Sequence, residues 1–214
     1  MRQRTRDVDS LDPREKFSEI AELFASFGRG GVLDGVSAGA SVYERFNAIA
    51  EAARAGGHYH EMKTIDPARL AGGESLTICV DDSGENWWEL RREGGQDRVY
   101  CGGEEDADLE PVDLLGFAYA ILVPDLILNA ESSVVYETDS LEVAQAALGD
   151  WTPMGMSGLW CPVPQPEFFQ RGDAYALLGL MGDSPIIWVG CHSVAEGEQI
   201  RAAFVDAGLS VSSP

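Results

Sequence analysis

Apolar residues recur at helical spacing in four segments of the chain, and each segment has its own start and stop signals. The four helices are predicted to begin after Asp12, Ser41, Asp139 and Ser193. Each of these residues is a good N-cap and is followed three positions later by a glutamate, the pattern of a capping box. A glycine stands at the end of each segment, as expected where a helix stops.

Between the second and third helices the apolar period changes from helical spacing to two. Leu76, Ile78 and Val80 alternate with more polar positions, and polar turn clusters separate this segment from two further short strands at 87–91 and 99–101. This pattern predicts an antiparallel meander. Adjacent side chains on a strand point to opposite faces, so we expect either Trp87 or Trp88 in the core and the other partly exposed.

The remaining segments complete the pattern, with one ambiguity. The run 114–123 is apolar throughout, so it fits a buried helix or a central strand, and Pro124 is predicted to end it in either case. Strands are predicted at 133–137, 174–181, 185–190 and 209–211, with a tight turn at 182–184.

This order of elements predicts an α+β fold. It consists of an antiparallel meander and a C-terminal α/β sandwich of the split-βαβ kind, with the N-terminal helices packed on the sheet. We expect three segments, 1–73, 74–130 and 131–214, which together form one or two compact domains. A length of 214 residues allows either arrangement.

Charge is distributed unevenly along the chain. Residues 1–98 carry 18 acids and 13 bases, whereas residues 99–214 carry 18 acids and only two bases, Arg171 and Arg201. The net charges of −5 and −16 sum to −21. Such a balance argues against binding to nucleic-acid backbones or anionic membranes. Such an excess of acids either keeps a protein soluble or forms a surface that attracts a basic protein.

The compartment is inferred from the cysteines and the first residues. The four cysteines are widely spaced and form no C-x-x-C pair, and residues 1–12 contain no apolar stretch typical of a signal peptide. No apolar run reaches the length of a membrane span. We therefore predict a cytoplasmic protein with reduced thiols; the richness in Ala, Gly and Arg is compatible with a bacterial source.

Two constellations could support chemistry. Gly35-Val36-Ser37-Ala38-Gly39 matches the G-x-S-x-G nucleophile elbow, for which His192 is a candidate base. The elbow needs a preceding strand, and 28–34 is a poor one, so a small-residue loop is the competing interpretation. His58 and His60 are separated by one residue and could ligate a metal with further partners. A polar loop is the alternative there, and no cofactor is predicted.

Two other features indicate protein binding. The run from Glu104 to Glu110 is strongly acidic, and aromatic residues flank the prolines between 151 and 166. The acids are expected either to steer a basic partner or to form a solvated loop. The aromatic residues either anchor that partner or belong to a proline-rich loop that packs on the body of the protein. The candidate partner-binding residues are Glu104, Glu105, Asp106, Asp108, Glu110, Trp87, Trp151 and Trp160.

These observations favour a binding protein over an enzyme. The hypothesis is an acidic protein that masks a basic surface of a partner, in the manner of immunity or antitoxin-like inhibitors. The alternatives are a hydrolase that uses Ser37 and a subunit or chaperone of a larger assembly.

Overall fold

The structure is a computed structural model that describes residues 6–7, 10–29, 31–54, 60–102, 108–155 and 166–212. The helices in these ranges are α1 Pro13–Ser26, α2 Val42–Arg54, α3 Pro67–Ala71, α4 Leu114–Leu128, α5 Leu141–Ala147 and α6 Val194–Asp206. The strands are β1 Arg6–Asp7, β2 His60–Met62, β3 Leu76–Asp81, β4 Trp87–Glu93, β5 Gln96–Cys101, β6 Asp108–Leu109, β7 Ser132–Glu137, β8 Thr152–Gly155, β9 Glu167–Arg171, β10 Ala174–Met181, β11 Ser184–Cys191 and β12 Ser210–Val211.

The strands form two sheets. The smaller sheet has the order β2-β3-β4-β5-β6 and contains the predicted meander, with every pairing antiparallel. The larger sheet has the order β1-β8-β9-β10-β11-β7-β12, and its pairings are antiparallel except that β1 runs parallel to β8. The predicted α+β class, with helices packed on antiparallel sheets, is confirmed.

Helix α4 lies at the centre of the fold. It contacts β10 and β11 of the larger sheet, β5 of the smaller sheet, and helices α1 and α2. Fourteen of its fifteen residues are buried, from Leu114 to Ile127. A helix that is apolar on all sides can be stable only where it is enclosed on all sides, which explains why this segment shows no amphipathic period.

The prediction that Pro124 ends the apolar segment is wrong. Helix α4 begins after the N-cap Asp113 and continues through Pro124 to Leu128. A proline inside a helix removes one backbone hydrogen bond and costs about 3 kcal/mol. Burying Leu126 and Ile127 beyond it contributes about 1.5–3 kcal/mol each, which is enough to offset that cost.

Two apolar cores result from this arrangement. The first surrounds α4 and draws on all three segments predicted from the sequence, with Phe24, Trp88 and Ile186 among its members. The second lies on the opposite face of the larger sheet, under α5 and α6, and includes Tyr136 and Phe204. The larger sheet therefore has a core on both faces.

Most helix starts are found where the caps predict them. Asp12 and Glu15 form the expected capping box at α1, and Ser193 accepts from the backbone N–H of Glu196 at α6. The third predicted helix starts one residue later than expected, because Ser140 and not Asp139 is the N-cap of α5. Both residues have cap-forming side chains, so the pattern alone did not separate them.

Several short elements were missed. Residues 60–62 were expected in a polar loop, but they form strand β2, which pairs with β3. Helix α3 and strands β1, β6, β8 and β9 were also absent from the prediction. Four of these six elements have two to four residues, too few to show a period of either kind.

Candidate interaction surface

The nucleophile elbow does not form around Ser37. Residues 31–35 are turns, and no strand precedes Ser37 within the described range 31–54. Its Oγ accepts a hydrogen bond from the backbone N–H of Gly39 at 3.2 Å. The imidazole of His192 lies against Gly28, and its Nδ1 is 3.4 Å from a carboxylate oxygen of Glu131. Among the described residues no hydrogen bond joins Ser37 to His192.

His60 is a buried residue of β2 and pairs with Asp125 of α4. Its Nδ1 lies 2.6 Å from Oδ1 of Asp125, and its backbone N–H donates to Oδ2 at 3.0 Å. Both side chains are essentially inaccessible to solvent, and the Trp88 ring packs edge-on against the imidazole. The pair fixes β2 to the central helix. The other candidate ligand, His58, lies outside the described residues.

A metal centre finds no support in this geometry. In the part of the chain that the structure describes, no group of three or more His, Cys, Asp or Glu side chains could hold a metal ion. The nearby Cys79 thiol is buried, and that burial, with the neighbouring carboxylate of Asp125, holds its pKa far above the ordinary value. A thiol in this state is a poor nucleophile and a poor metal ligand.

The acidic run is described only at its end. Glu104, Glu105 and Asp106 lie outside the described residues, whereas Asp108 is exposed on the edge strand β6. Glu110 is half-buried and accepts a hydrogen bond from the indole N–H of Trp88 at 2.9 Å. Burial raises the pKa of the Glu110 carboxyl above 4.5. The hydrogen bond from the Trp88 indole acts to lower this pKa, and the nearby charge of Asp108 acts to raise it further.

The difference in unfolding free energy between Glu110→Gln and the wild type is expected to shift in favour of the variant as pH rises. The folded protein favours the protonated carboxyl, so the contribution of Glu110 is fully present below its unfolded pKa and is lost as pH rises through the raised folded pKa. Glutamine is neutral throughout and keeps an oxygen for the Trp88 indole. Urea unfolding of both proteins at pH 4 and pH 7 measures the effect; a stability difference that is equal at the two pH values would contradict it.

The tryptophans differ in their surroundings. Trp151 is only 1% exposed and packs in the second core beside Phe204, so it offers almost no surface to a partner. Trp88 is buried and Trp87 is partly exposed, as their alternation on β4 predicts. Trp160 lies outside the described residues. Trp188, which was not selected from the sequence, is partly exposed on β11.

The larger sheet brings three distant segments together at one end. Strand β7 ends where β11 and β12 begin, because Glu137 is opposite both Ile186 and Ser210. The β10–β11 turn, the start of α5 and the end of α6 adjoin the same edge. We call the group of residues 137–142, 180–185 and 205–211 the acidic end.

The acidic end carries negative charge without an internal cation. Its acids are Glu137, Asp139, Glu142, Asp183 and Asp206, and its three segments contain no Lys or Arg. The two arginines in the second half of the chain are engaged elsewhere. Arg171 pairs with Asp150 at 3.1 Å and Arg201 with Glu198 at 3.9 Å. In the part of the chain that the structure describes, no salt bridge joins a cation to any of these five acids.

The same end exposes apolar side chains. Of the eight large apolar residues that are exposed in the described ranges, five lie here: Leu141, Leu180, Met181, Val205 and Val211. A polar cleft of about 360 Å³ opens at the same end, bounded by Glu137, Asp139 and Ser140 on one side and by Ser184, Gly208 and Ser210 on the other. Exposed apolar groups beside unpaired charge are typical of a protein-binding surface.

The chain matches no family model, no curated protein and no solved structure. The interpretation of this surface therefore depends on its own chemistry. Among the described residues, none of the helices combines the length and the apolar character that crossing a bilayer requires.

The acidic end could not be recognised from the sequence. Its acids are spread over about seventy positions, from Glu137 to Asp206, and no two of them form a motif. Only the strand order makes them neighbours. The one sequence signal was the shortage of lysine and arginine after Arg98. This shortage indicates that the acidic surface lies in the second half of the chain, but it does not indicate which residues form it.

Proposed function

We propose that this protein is an intracellular, cytoplasmic binding protein that masks a basic surface of a partner protein, as immunity and antitoxin-like inhibitors do. The acidic end carries this proposal, since it combines five acids, no cation and five exposed apolar side chains. Unpaired charge accelerates the encounter with a basic surface, and apolar contacts slow dissociation once it has occurred.

The acidic run from Glu104 to Glu110 is proposed as a second steering element. Asp108 is the described member that is exposed for this role, whereas Glu110 serves mainly as the acceptor for Trp88. Trp87 is the partly exposed indole on the smaller sheet and remains a candidate anchor.

The proposal is tested by neutralising charge at two places. The triple variant Asp139→Asn/Asp183→Asn/Asp206→Asn removes three exposed acids from the acidic end. The matched variant Glu51→Gln/Asp82→Asn/Glu85→Gln removes three exposed acids from α2 and the β3–β4 turn. Both reduce the net negative charge by three, so a difference between them reports position and not total charge.

The assay begins with partner capture from a lysate of the source organism at low and high salt, and continues with association kinetics on the purified partner. We expect a basic partner whose association with the acidic-end variant is about three to ten times slower at low salt and less dependent on salt. The matched variant should behave as the wild type. Equal slowing in both variants would show that the acidic end has no special role, and a partner without a basic surface would contradict the masking function.

A further inference from the structure

An apolar groove of about 400 Å³ opens on the α4 side of the larger sheet, between β7, β11 and β12. We call it the Trp188 groove, and its apolar walls on this face are Leu128, Val135 and Trp188. All three side chains are partly exposed. The neighbouring Val134 packs against the second core, and Val211, opposite Tyr136, lies on the face of that core. Farther along the same strand β11, Ile186 is buried in the first core.

The aromatic wall of the groove is held in place. Trp188 lies opposite Val135 in the register of β11 and β7. Its indole N–H donates to Oγ of Ser133 at 3.0 Å. An indole fixed by a hydrogen bond and by packing loses little conformational entropy when a ligand covers it. The groove is thus prepared for an apolar side chain.

Carboxylates stand at both ends of the groove along β7. Glu131 is exposed and precedes the strand, and Glu137 is the last residue of the strand. Five residues of extended chain lie between them, and the six steps from Glu131 to Glu137 span about 20 Å. Glu131 lies 3.4 Å from Nδ1 of His192, and one carboxylate oxygen of Glu137 accepts from Oγ of Ser212. Strands β7, β11 and β12 contain no Lys or Arg, and the last turn of α4 has no basic residue.

We infer that the Trp188 groove binds an extended segment of a partner protein in which two aliphatic side chains lie between two cationic ones. In an extended segment every second side chain points to the same face, so such a segment presents a cation, two aliphatic groups and a second cation in line. That spacing matches Glu131, the apolar walls and Glu137. This inference rests on the proposed function and names the chemistry that the partner presents.

The probe is the synthetic peptide Lys-Ser-Leu-Ser-Leu-Ser-Lys with blocked ends. Two matched peptides replace both leucines by serine or both lysines by glutamate. Binding is followed by the ¹⁵N-indole resonances of the tryptophans, with the Trp188 signal assigned from the Trp188→Phe variant. We expect the first peptide to shift the Trp188 signal and leave that of the buried Trp88 unchanged. The two matched peptides should leave the Trp188 signal in place.

Variants of the groove provide the decisive comparison. Val135→Ser and Leu128→Ser are each expected to weaken binding of the lysine–leucine peptide about tenfold, the loss corresponding to about 1.4 kcal/mol of apolar contact. Val32→Ser, the valine-to-serine change at an exposed position outside the groove, should bind as the wild type. Because Leu128 is the partly exposed last residue of α4, its variant tests the groove even if Val135→Ser fails to fold.

The outcomes separate this inference from the proposed function. Binding that survives both groove variants but is lost in the acidic-end variant would overturn the groove and leave the masking function standing. Equal binding of the serine-substituted peptide would show attraction by charge alone and would also overturn it. A dimer in sedimentation that Leu128→Ser dissociates would assign the groove to a second copy of this chain, and this too would overturn it.

Discussion

Replacing Asp125 by alanine is expected to lower the free energy of unfolding by about 3–5 kcal/mol, because it removes one partner of a buried, hydrogen-bonded pair. The carboxylate accepts from the backbone N–H of His60 and lies 2.6 Å from its Nδ1, and both side chains are sealed from solvent. The alanine variant leaves these buried donors without their carboxylate acceptor. The midpoint of urea unfolding measures the loss.

A neighbouring pair on the surface supplies the control. Glu61 is exposed and lies 3.7 Å from Lys63, so Glu61→Ala is expected to cost less than 1 kcal/mol. In a double-mutant cycle, the losses in Asp125→Ala and His60→Leu should together exceed the loss in the combined variant by about 1 kcal/mol or more. Strictly additive losses would mean that the two side chains do not stabilise the fold as a pair.

Gly190→Ala is expected to destabilise the protein by about 3 kcal/mol, the upper part of the usual range for overpacking. A β-carbon at position 190 would lie 2.6 Å from both the Cα and the carbonyl oxygen of Ile127. These are backbone atoms of the central helix, so no side-chain rotation relieves the contact. Strand β11 and α4 would have to separate.

Thermal unfolding shows the size of this effect. For a chain of this length, a loss of 3 kcal/mol corresponds to a fall in melting temperature of about 6–12 °C. Gly35→Ala is the matched control, because no described atom lies within 4 Å of its added β-carbon, and it should stay within about 0.5 kcal/mol of the wild type. A melting temperature for Gly190→Ala equal to that of Gly35→Ala would contradict the close approach of β11 to α4.

The features that were predictable from the sequence are local ones. A cap residue and the glutamate three positions later are near each other in any helix, so Asp12 and Ser193 could be identified without knowledge of the fold. The turn at 182–184 depends in the same way on adjacent residues. The alternation of Trp87 and Trp88 follows from strand geometry alone.

The features that were not predictable depend on contacts between distant residues. His60 becomes a buried strand residue through Asp125, which is 65 positions away. The helical state of 114–128 is invisible to periodicity because both sheets enclose it. The sequence leaves open whether Trp151 anchors a partner or packs on the body, and Phe204 of α6 decides this by covering it. In each case the order and pairing of distant elements determines which side chains are buried.

The central position of α4 also determines when the chain can fold during translation. The helix is complete at Leu128, but its partners β10 and β11 end only at Cys191. At ordinary elongation rates those 63 residues take about 3–13 s to synthesise. Throughout that interval the most apolar segment of the nascent chain lacks the larger sheet that encloses it. A chaperone that holds exposed apolar chain on the ribosome would therefore engage this protein first at α4, and release it once β11 has emerged.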